Sequence, residues 1–410
     1  MKKIMIYCQH LAGIGHLVRC REIIRSLVPT FEVCFVNGGQ LVSAFELPAE
    51  VKMVCLPGLW EKEAKLVPLD ETRSLEEVKT QRKQQLLDVF DWFRPDCLIT
   101  ECFPFSKLRM KYELKPLLEQ AKASPWPVKI VCSLRDLIMT QPLPADTKAR
   151  RAAKVCRLIN QFYDAVLFHA DANFQPLEDC FSRVRDLNCE IIYTGYVAQS
   201  SPTIKTPTLD DIAGLSDSSP TIVVSAGGGR HGYPLLRAAV DASSLLANRL
   251  SHQIYAFAGP FMPEADFLDL QRAAADRPNV TLRRYTSRLI DYMDKADLSV
   301  SLGGYNTTMN LLRTGVRSLL LPSLNPSQTD EQRIRAEKLA RLGLLTLLTP
   351  SDLQAERFAD AVVTAIQQTS AQMPAQTSAQ TSVIPTIDLQ GAAHTASYLQ
   401  KLLLPQECFC

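Results

Sequence analysis

Two series of short, unbroken apolar runs, each spaced by stretches of helix length, set the tightest limit on how this chain can fold. The first series occupies residues 4–9, 33–36, 53–56, 97–100, 129–133, 165–169 and 191–193. The second occupies residues 221–226, 254–258, 280–283, 298–302, 318–321 and 344–348. A strand with one wet face alternates apolar and polar residues, whereas a continuous apolar strand is covered on both faces and belongs to a parallel sheet between helices. The expected class is α/β, with two Rossmann-like, doubly wound parallel-sheet domains facing across a cleft. The length of 410 residues agrees, because one core rarely grows past about 250–300 residues.

Composition marks the boundaries. Residues 199–220 are rich in Ser, Thr and Pro, the make-up of a linker, so the first domain is expected over 1–198 and the second over 221–368. Residues 369–387 repeat Thr-Ser-Ala-Gln without a hydrophobic period and are expected to be flexible. Residues 388–410 hold an amphipathic helix at 392–404, which must dock on something, and a tail with Cys408 and Cys410.

Several functions are disfavoured. A net charge of +2 without a basic block gives no reason to expect nucleic acid as a partner. No apolar run approaches the roughly 20 residues of a spanning helix, and the first strand begins almost at Met1 without a signal-peptide layout, so a cytoplasmic protein is expected. Of the twelve cysteines, Cys8, Cys34, Cys55, Cys97 and Cys132 lie inside apolar runs, where Cys acts as a small core hydrophobe. No Cys-x-x-Cys pair occurs, and no metal site is expected.

The chemistry-bearing residues cluster just past strand ends. In the first junction Gly13 and Gly15 let the backbone turn off the strand, and His16 falls in the first turn of the following helix. The helix dipole depresses an imidazole pKa there, which makes His16 a candidate general base; capping its own helix is the alternative, and His10 is a second candidate base. Glu101, Arg135 and Asp136 follow other strands of this half, where a charge faces the cleft, although Arg135 and Asp136 could simply pair.

In the second half, Gly227, Gly228 and Gly229 follow the first strand and are followed by Arg230 and His231, a backbone and charge pattern suited to a diphosphate. Gly259 and Thr286 sit after the next two strands. Gly303-Gly304-Tyr305-Asn306-Thr307-Thr308 ends a strand in paired glycines and opens a helix, an arrangement that aims N–H groups at an anion. A tight bend alone would also explain the glycines. Glu331 and Gln332, at the next helix start, suit the hydroxyls of a sugar or a solvated face.

Together YCQHLAGIGHLVR, ITECFPF, CSLRD, AGGGRHGYPLL, GGYNTTMNLL and EQRIRAEKLARLGL resemble the GT-B glycosyltransferases, and within them family 28, typified by the N-acetylglucosaminyltransferase of peptidoglycan assembly. The likeness is strongest to a less characterised bacterial branch of predicted glycosyltransferases. The resemblance implies inverting, metal-independent transfer from a nucleotide diphosphate sugar, UDP-linked, to an acceptor hydroxyl, with no cofactor beyond the donor itself. It makes the first domain the acceptor side, with His16 as base and Gly13, Gly15, Arg19, Glu101, Arg135 and Asp136 around the acceptor. It makes the second domain the donor side: Gly227 to Gly229 at the diphosphate with Arg230 and His231 beside them, Gly259 and Gly303 in the donor-binding loops, Thr286 in the base-contacting loop, Gly304, Asn306, Thr307 and Thr308 on phosphates, and Glu331 and Gln332 on the sugar. Where the family carries a carboxylate for both ribose hydroxyls, this chain has Asn310, which forfeits two charge-assisted hydrogen bonds. The acceptor is unidentified, and peripheral membrane contact has no basic amphipathic segment to support it. Two other readings stay open: a nucleotide-sugar hydrolase in which His16 activates water, and a non-catalytic nucleotide-sugar binding subunit.

Overall fold

The computed structural model describes residues 1–10, 14–40, 45–62, 65–140, 142–200, 212, 215, 219–323, 330–368 and 386–404. Gly13, most of the 199–220 linker, nearly all of the 369–387 repeat segment, and Cys408 and Cys410 lie outside the described residues. The chain divides into two compact units, one of residues 1–198 with 387–410 and one of residues 199–386.

In chain order the first unit holds β1 (Lys3–Cys8), α1 (Gly15–Leu27), β2 (Glu32–Asn37), β3 (Lys52–Cys55), β4 (Leu59–Lys62), β5 (Lys65–Pro68), α2 (Leu75–Phe93), β6 (Cys97–Glu101), α3 (Lys111–Ala123), β7 (Lys129–Arg135), α4 (Ala145–Phe162), β8 (Ala165–His169) and β9 (Glu190–Tyr193). The second holds β10 (Thr221–Ser225), α5 (Tyr233–Ala247), β11 (Gln253–Phe257), α6 (Glu264–Ala274), β12 (Val280–Arg283), α7 (Leu289–Lys295), β13 (Leu298–Leu302), α8 (Tyr305–Thr314), β14 (Ser318–Leu321), α9 (Glu331–Arg341), β15 (Thr346–Leu347) and α10 (Ala355–Gln367). A last helix, α11 (Gly391–Leu403), belongs to the first unit.

Both large sheets are parallel. Their orders are β3-β2-β1-β6-β7-β8-β9 and β12-β11-β10-β13-β14-β15. Each therefore reverses direction once, between β1 and β6 and between β10 and β13. At such a reversal the loops leaving neighbouring strands part and open a crevice at the carboxyl ends, where open α/β sheets bind ligands.

The unbroken apolar runs become strands buried on both faces: β6, β8, β10 and β14 have no exposed residue. Cys8, Cys34, Cys97 and Cys132 are core residues as expected, but Cys55 is exposed, because β3 is the edge of its sheet. The 344–348 run shortens to the two-residue β15. The sequence reading omitted the antiparallel hairpin β4–β5, in which Leu59 faces Pro68 and Lys62 faces Lys65.

The C-terminal amphipathic segment docks through α11 onto the first unit. Ala396 and Leu399 join the core of Leu17, Ile23 and Leu27 from α1. The Tyr196 N–H donates to the Asp388 carbonyl at 2.7 Å and the Gly391 N–H to the Tyr196 carbonyl at 2.9 Å. Nothing larger than hydrogen fits at Gly391, where a Cβ would collide with the Gly195 carbonyl.

Candidate functional site

In the first unit the chemistry gathers at the β1/β6 reversal. His16 is the second residue of α1, which leaves β1, and Glu101 is the last residue of β6, the neighbouring strand. His16 Nδ1 lies 2.5 Å from Glu101 Oε1. Arg19, three residues on and so on the same helix face, brings its guanidinium to the same oxygen, and the Cys102 thiol donates to it at 3.0 Å. Glu101 and Arg19 are both fully buried, while the His16 side chain keeps 16% of its surface. The second carboxylate oxygen, Oε2, is buried without a hydrogen-bond partner.

The protonation states follow from this packing. Burial pushes the Glu101 carboxyl up, but His16 and Arg19 outweigh it and hold the group well below the usual carboxylate range. Burial pushes His16 down to about 3 against the pull of Glu101, with Lys107 and Arg135 adding to the fall. Burial is the largest cause of the fall. A carboxylate only accepts, so Nδ1 must carry the proton of the neutral ring and Nε2 is left with an unprotonated lone pair. His16 does not cap its helix: the cap is Ile14, without a side-chain bond.

Other residues expected on the acceptor side depart from expectation. Glu101 ends its strand in a buried ion pair instead of standing free beyond it. Arg135 closes β7, and Asp136 behind it is fully buried. His10 is buried beside Gly39, its pKa pushed down to about 4 mainly by burial, and its Nε2 has no partner. His16, Glu101 and Cys102 offer three ligand atoms within 4.8 Å of one another, enough in number to suggest a metal. The Arg19 guanidinium on the same carboxylate makes the group better suited to a proton than to a further cation.

A second, fully buried group steadies this end of the sheet. Arg82 of α2 donates to both oxygens of Glu113 in α3, at 2.9 and 2.7 Å, and to the carbonyls of Gly38 and Pro57 at 2.8 and 2.7 Å. It also donates to Gln9 Oε1 at 2.7 Å, tying together the chain that follows β1, β2 and β3.

In the second unit the glycine loops meet at the β10/β13 reversal. Gly304 caps α8 without any side-chain capping bond, and no acidic residue occupies the first turn. An α-helix leaves its first N–H groups without intrahelical acceptors, so this end attracts an anion. A Cβ at Gly304 would meet nothing within 4 Å, and one at Gly227 only Thr307 Oγ1 at 3.8 Å. Among the described residues, nothing crowds these two turns. Gly229 and Gly259 serve a different purpose: side chains there would collide with the carbonyls of Ala258 and Gly227, so the pair lets one loop lie on the other.

The other residues expected at the donor site lie on the following loops and helix starts. The Thr308 hydroxyl donates back to the Gly304 carbonyl at 2.9 Å and is engaged in the helix. His231 follows Arg230 in the β10 turn, its pKa lowered by burial and by that neighbour. The Gly303 N–H is taken by the Leu321 carbonyl at 2.8 Å. Thr286 Oγ1 accepts the Arg288 N–H at 3.1 Å at the start of α7. Glu331 opens α9 and is buried, while Gln332 Oε1 accepts the Ser323 N–H at 3.1 Å. Asn310, buried in α8, donates from Nδ2 to Gln199 Oε1 at 2.8 Å, and its Oδ1 has no partner.

Two residues here were not foreseen. Arg335, one turn beyond Glu331 and buried, places its guanidinium carbon 5.3 Å from the centre of the Tyr305 ring at the start of α8. Gln199 was read as linker. The spacing from Glu331 to Arg335 is visible in the sequence, but the contact of Gln199 with α8 has no local signature.

Two parallel-sheet units with these loops have the GT-B fold. The calicheamicin glycosyltransferase CalG4 superposes with a TM-score of 0.59 at 15% identity, covering 98% of this chain and 97% of that one. Residues 221–388 match the glycosyltransferase family 28 C-terminal domain. It is 28% identical over 219 residues to an uncharacterised glycosyltransferase of Methanopyrus kandleri, covering 51% of this chain and 57% of the relative. It is 30% identical over 186 residues, 44% of this chain and 48% of the relative, to the UDP-N-acetylglucosamine--N-acetylmuramyl-(pentapeptide) pyrophosphoryl-undecaprenol N-acetylglucosamine transferase of Leuconostoc citreum. The chain spans about half the length of the curated relatives it matches. Among the described residues, no helix is long and apolar enough to cross a membrane.

Proposed function

We propose that the protein transfers a sugar from a nucleoside diphosphate donor, UDP-linked, to an acceptor hydroxyl, with inversion at the anomeric carbon and without metal or cofactor. The observation that carries the reading is the hydrogen bond from His16 Nδ1 to the buried, ionised Glu101. It leaves Nε2 as the base. The acceptor oxygen forms a bond to the anomeric carbon as the bond from that carbon to the diphosphate breaks, and the acceptor proton passes to Nε2. The imidazolium so formed faces a carboxylate that Arg19 keeps charged. A single displacement of this kind inverts the centre.

The charge that develops on the departing diphosphate falls to the second unit. The uncapped start of α8, the open Gly227 and Gly228 turn, and Arg230 supply positive potential without a metal ion. The UDP donor named for the Leuconostoc relative supports the choice of nucleotide.

The test is to incubate the purified protein with a panel of nucleotide sugars and measure nucleoside diphosphate release with and without candidate acceptors. Release that requires an acceptor is expected. Acceptor-independent turnover would replace transfer by hydrolysis, and binding without release would replace it by a carrier role. His16→Ala is expected to lower turnover by about 100-fold or more, and a near-normal rate removes His16 as the base.

A further inference from the structure

Asn310 lies six residues beyond Gly304, about 9 Å along α8 from the helix start, and four residues beyond Asn306 on the same face. In a nucleoside diphosphate the pentose is joined directly to the inner phosphate. With the diphosphate at the α8 N-terminus, the pentose falls within this reach. Here the chain presents a buried carboxamide with one atom used and one not: Nδ2 donates to Gln199, and Oδ1 has no hydrogen-bond partner among the described residues. Gln199 is the first residue of its unit and only half-buried, so its side chain can withdraw into solvent.

We infer that Gln199 is a built-in occupant of the pentose subsite, an amide standing where a donor hydroxyl binds, which the nucleotide must displace. The inference rests on the proposed donor site. Its chemical basis is a mismatch: the Gln199 oxygen can satisfy only the Nδ2 donor, whereas a pentose diol can satisfy both atoms. One hydroxyl accepts from Nδ2 while its neighbour donates to Oδ1, which removes a buried unmet acceptor. Gln199 therefore sets the threshold for donor binding and favours nucleotides with two adjacent hydroxyls.

Isothermal titration of the full chain with UDP and, separately, with inorganic diphosphate tests this. Gln199→Ala is expected to tighten UDP binding by about fivefold, the worth of one neutral hydrogen bond, and to leave inorganic diphosphate unchanged. Gln199→Ser, polar but too short to reach Asn310, should behave alike. Unchanged or weaker UDP binding in both variants overturns the inference and leaves the donor site standing, as does an equal gain for UDP and diphosphate. If UDP binds no more tightly than inorganic diphosphate to the natural protein and both variants, the nucleotide reading itself fails, and the inference with it.

Discussion

One oxygen of Glu101 serves His16, Arg19 and Cys102, and the other serves nothing. The carboxylate therefore holds the imidazole through the same oxygen that the arginine neutralises. It also ties stability to pH through His16. A histidine pKa near 6.5 in the unfolded chain and about 3 in the folded one means that the unfolded state binds more protons between those values, so stability falls as pH drops through this window. The loss assignable to His16 at pH 5 is on the order of 2 kcal/mol. Urea titrations at pH 7 and pH 5 should show a smaller pH-dependent loss for His16→Asn than for the natural protein; equal losses would place the proton uptake elsewhere. The sequence placed His16 in the first helical turn and Glu101 at a strand end. It did not join them, because 85 residues separate them and only the strand order makes them neighbours. Asn310 was legible as a departure from the motif that the chain resembles, but its partner Gln199, 111 residues away, was not.

At the scale of elements, the glycines sort by what surrounds them. A run of three glycines looks uniform in sequence, yet Gly229 is needed where one loop crosses another, and Gly227 borders open space. Gly259, at φ +91° and against the Gly227 carbonyl, cannot accept a side chain. Gly259→Ala is expected to destabilise the second unit by about 1–3 kcal/mol, while Gly304→Ala, at φ −65° with nothing nearby, should leave the melting temperature within a degree or two. A melt in which the two variants behave alike would contradict this division. Strands were the most legible elements because burial on both faces demands an apolar run wherever they occur. The edges were the least: β3 exposes Cys55, and β15 shrinks to two residues, since an edge strand meets weaker demands on its sequence. The short hairpin β4–β5 has alternation over too few residues to outweigh its surroundings.

For the molecule as a whole, the amphipathic pattern near the C-terminus was readable as a helix but its destination was not. Tertiary burial of Ala396 and Leu399 against α1 decides that, and no local signal encodes which unit receives them. Removing residues 387–410 uncovers this face and should cost the first unit about 2–5 kcal/mol, the range for losing a buried leucine. Hydrogen exchange followed by mass spectrometry should then quicken in β1 and α1 and stay unchanged in β10 and β13; uniform quickening would mean that the helix supports both units alike.

The return of α11 to the first unit also fixes an order of assembly on the ribosome. All strands of both sheets have been translated before the residues that finish the first hydrophobic core emerge. The first unit is completed only after the second has been made, and until then the nascent chain carries an uncovered apolar face on α1 through the synthesis of its neighbour.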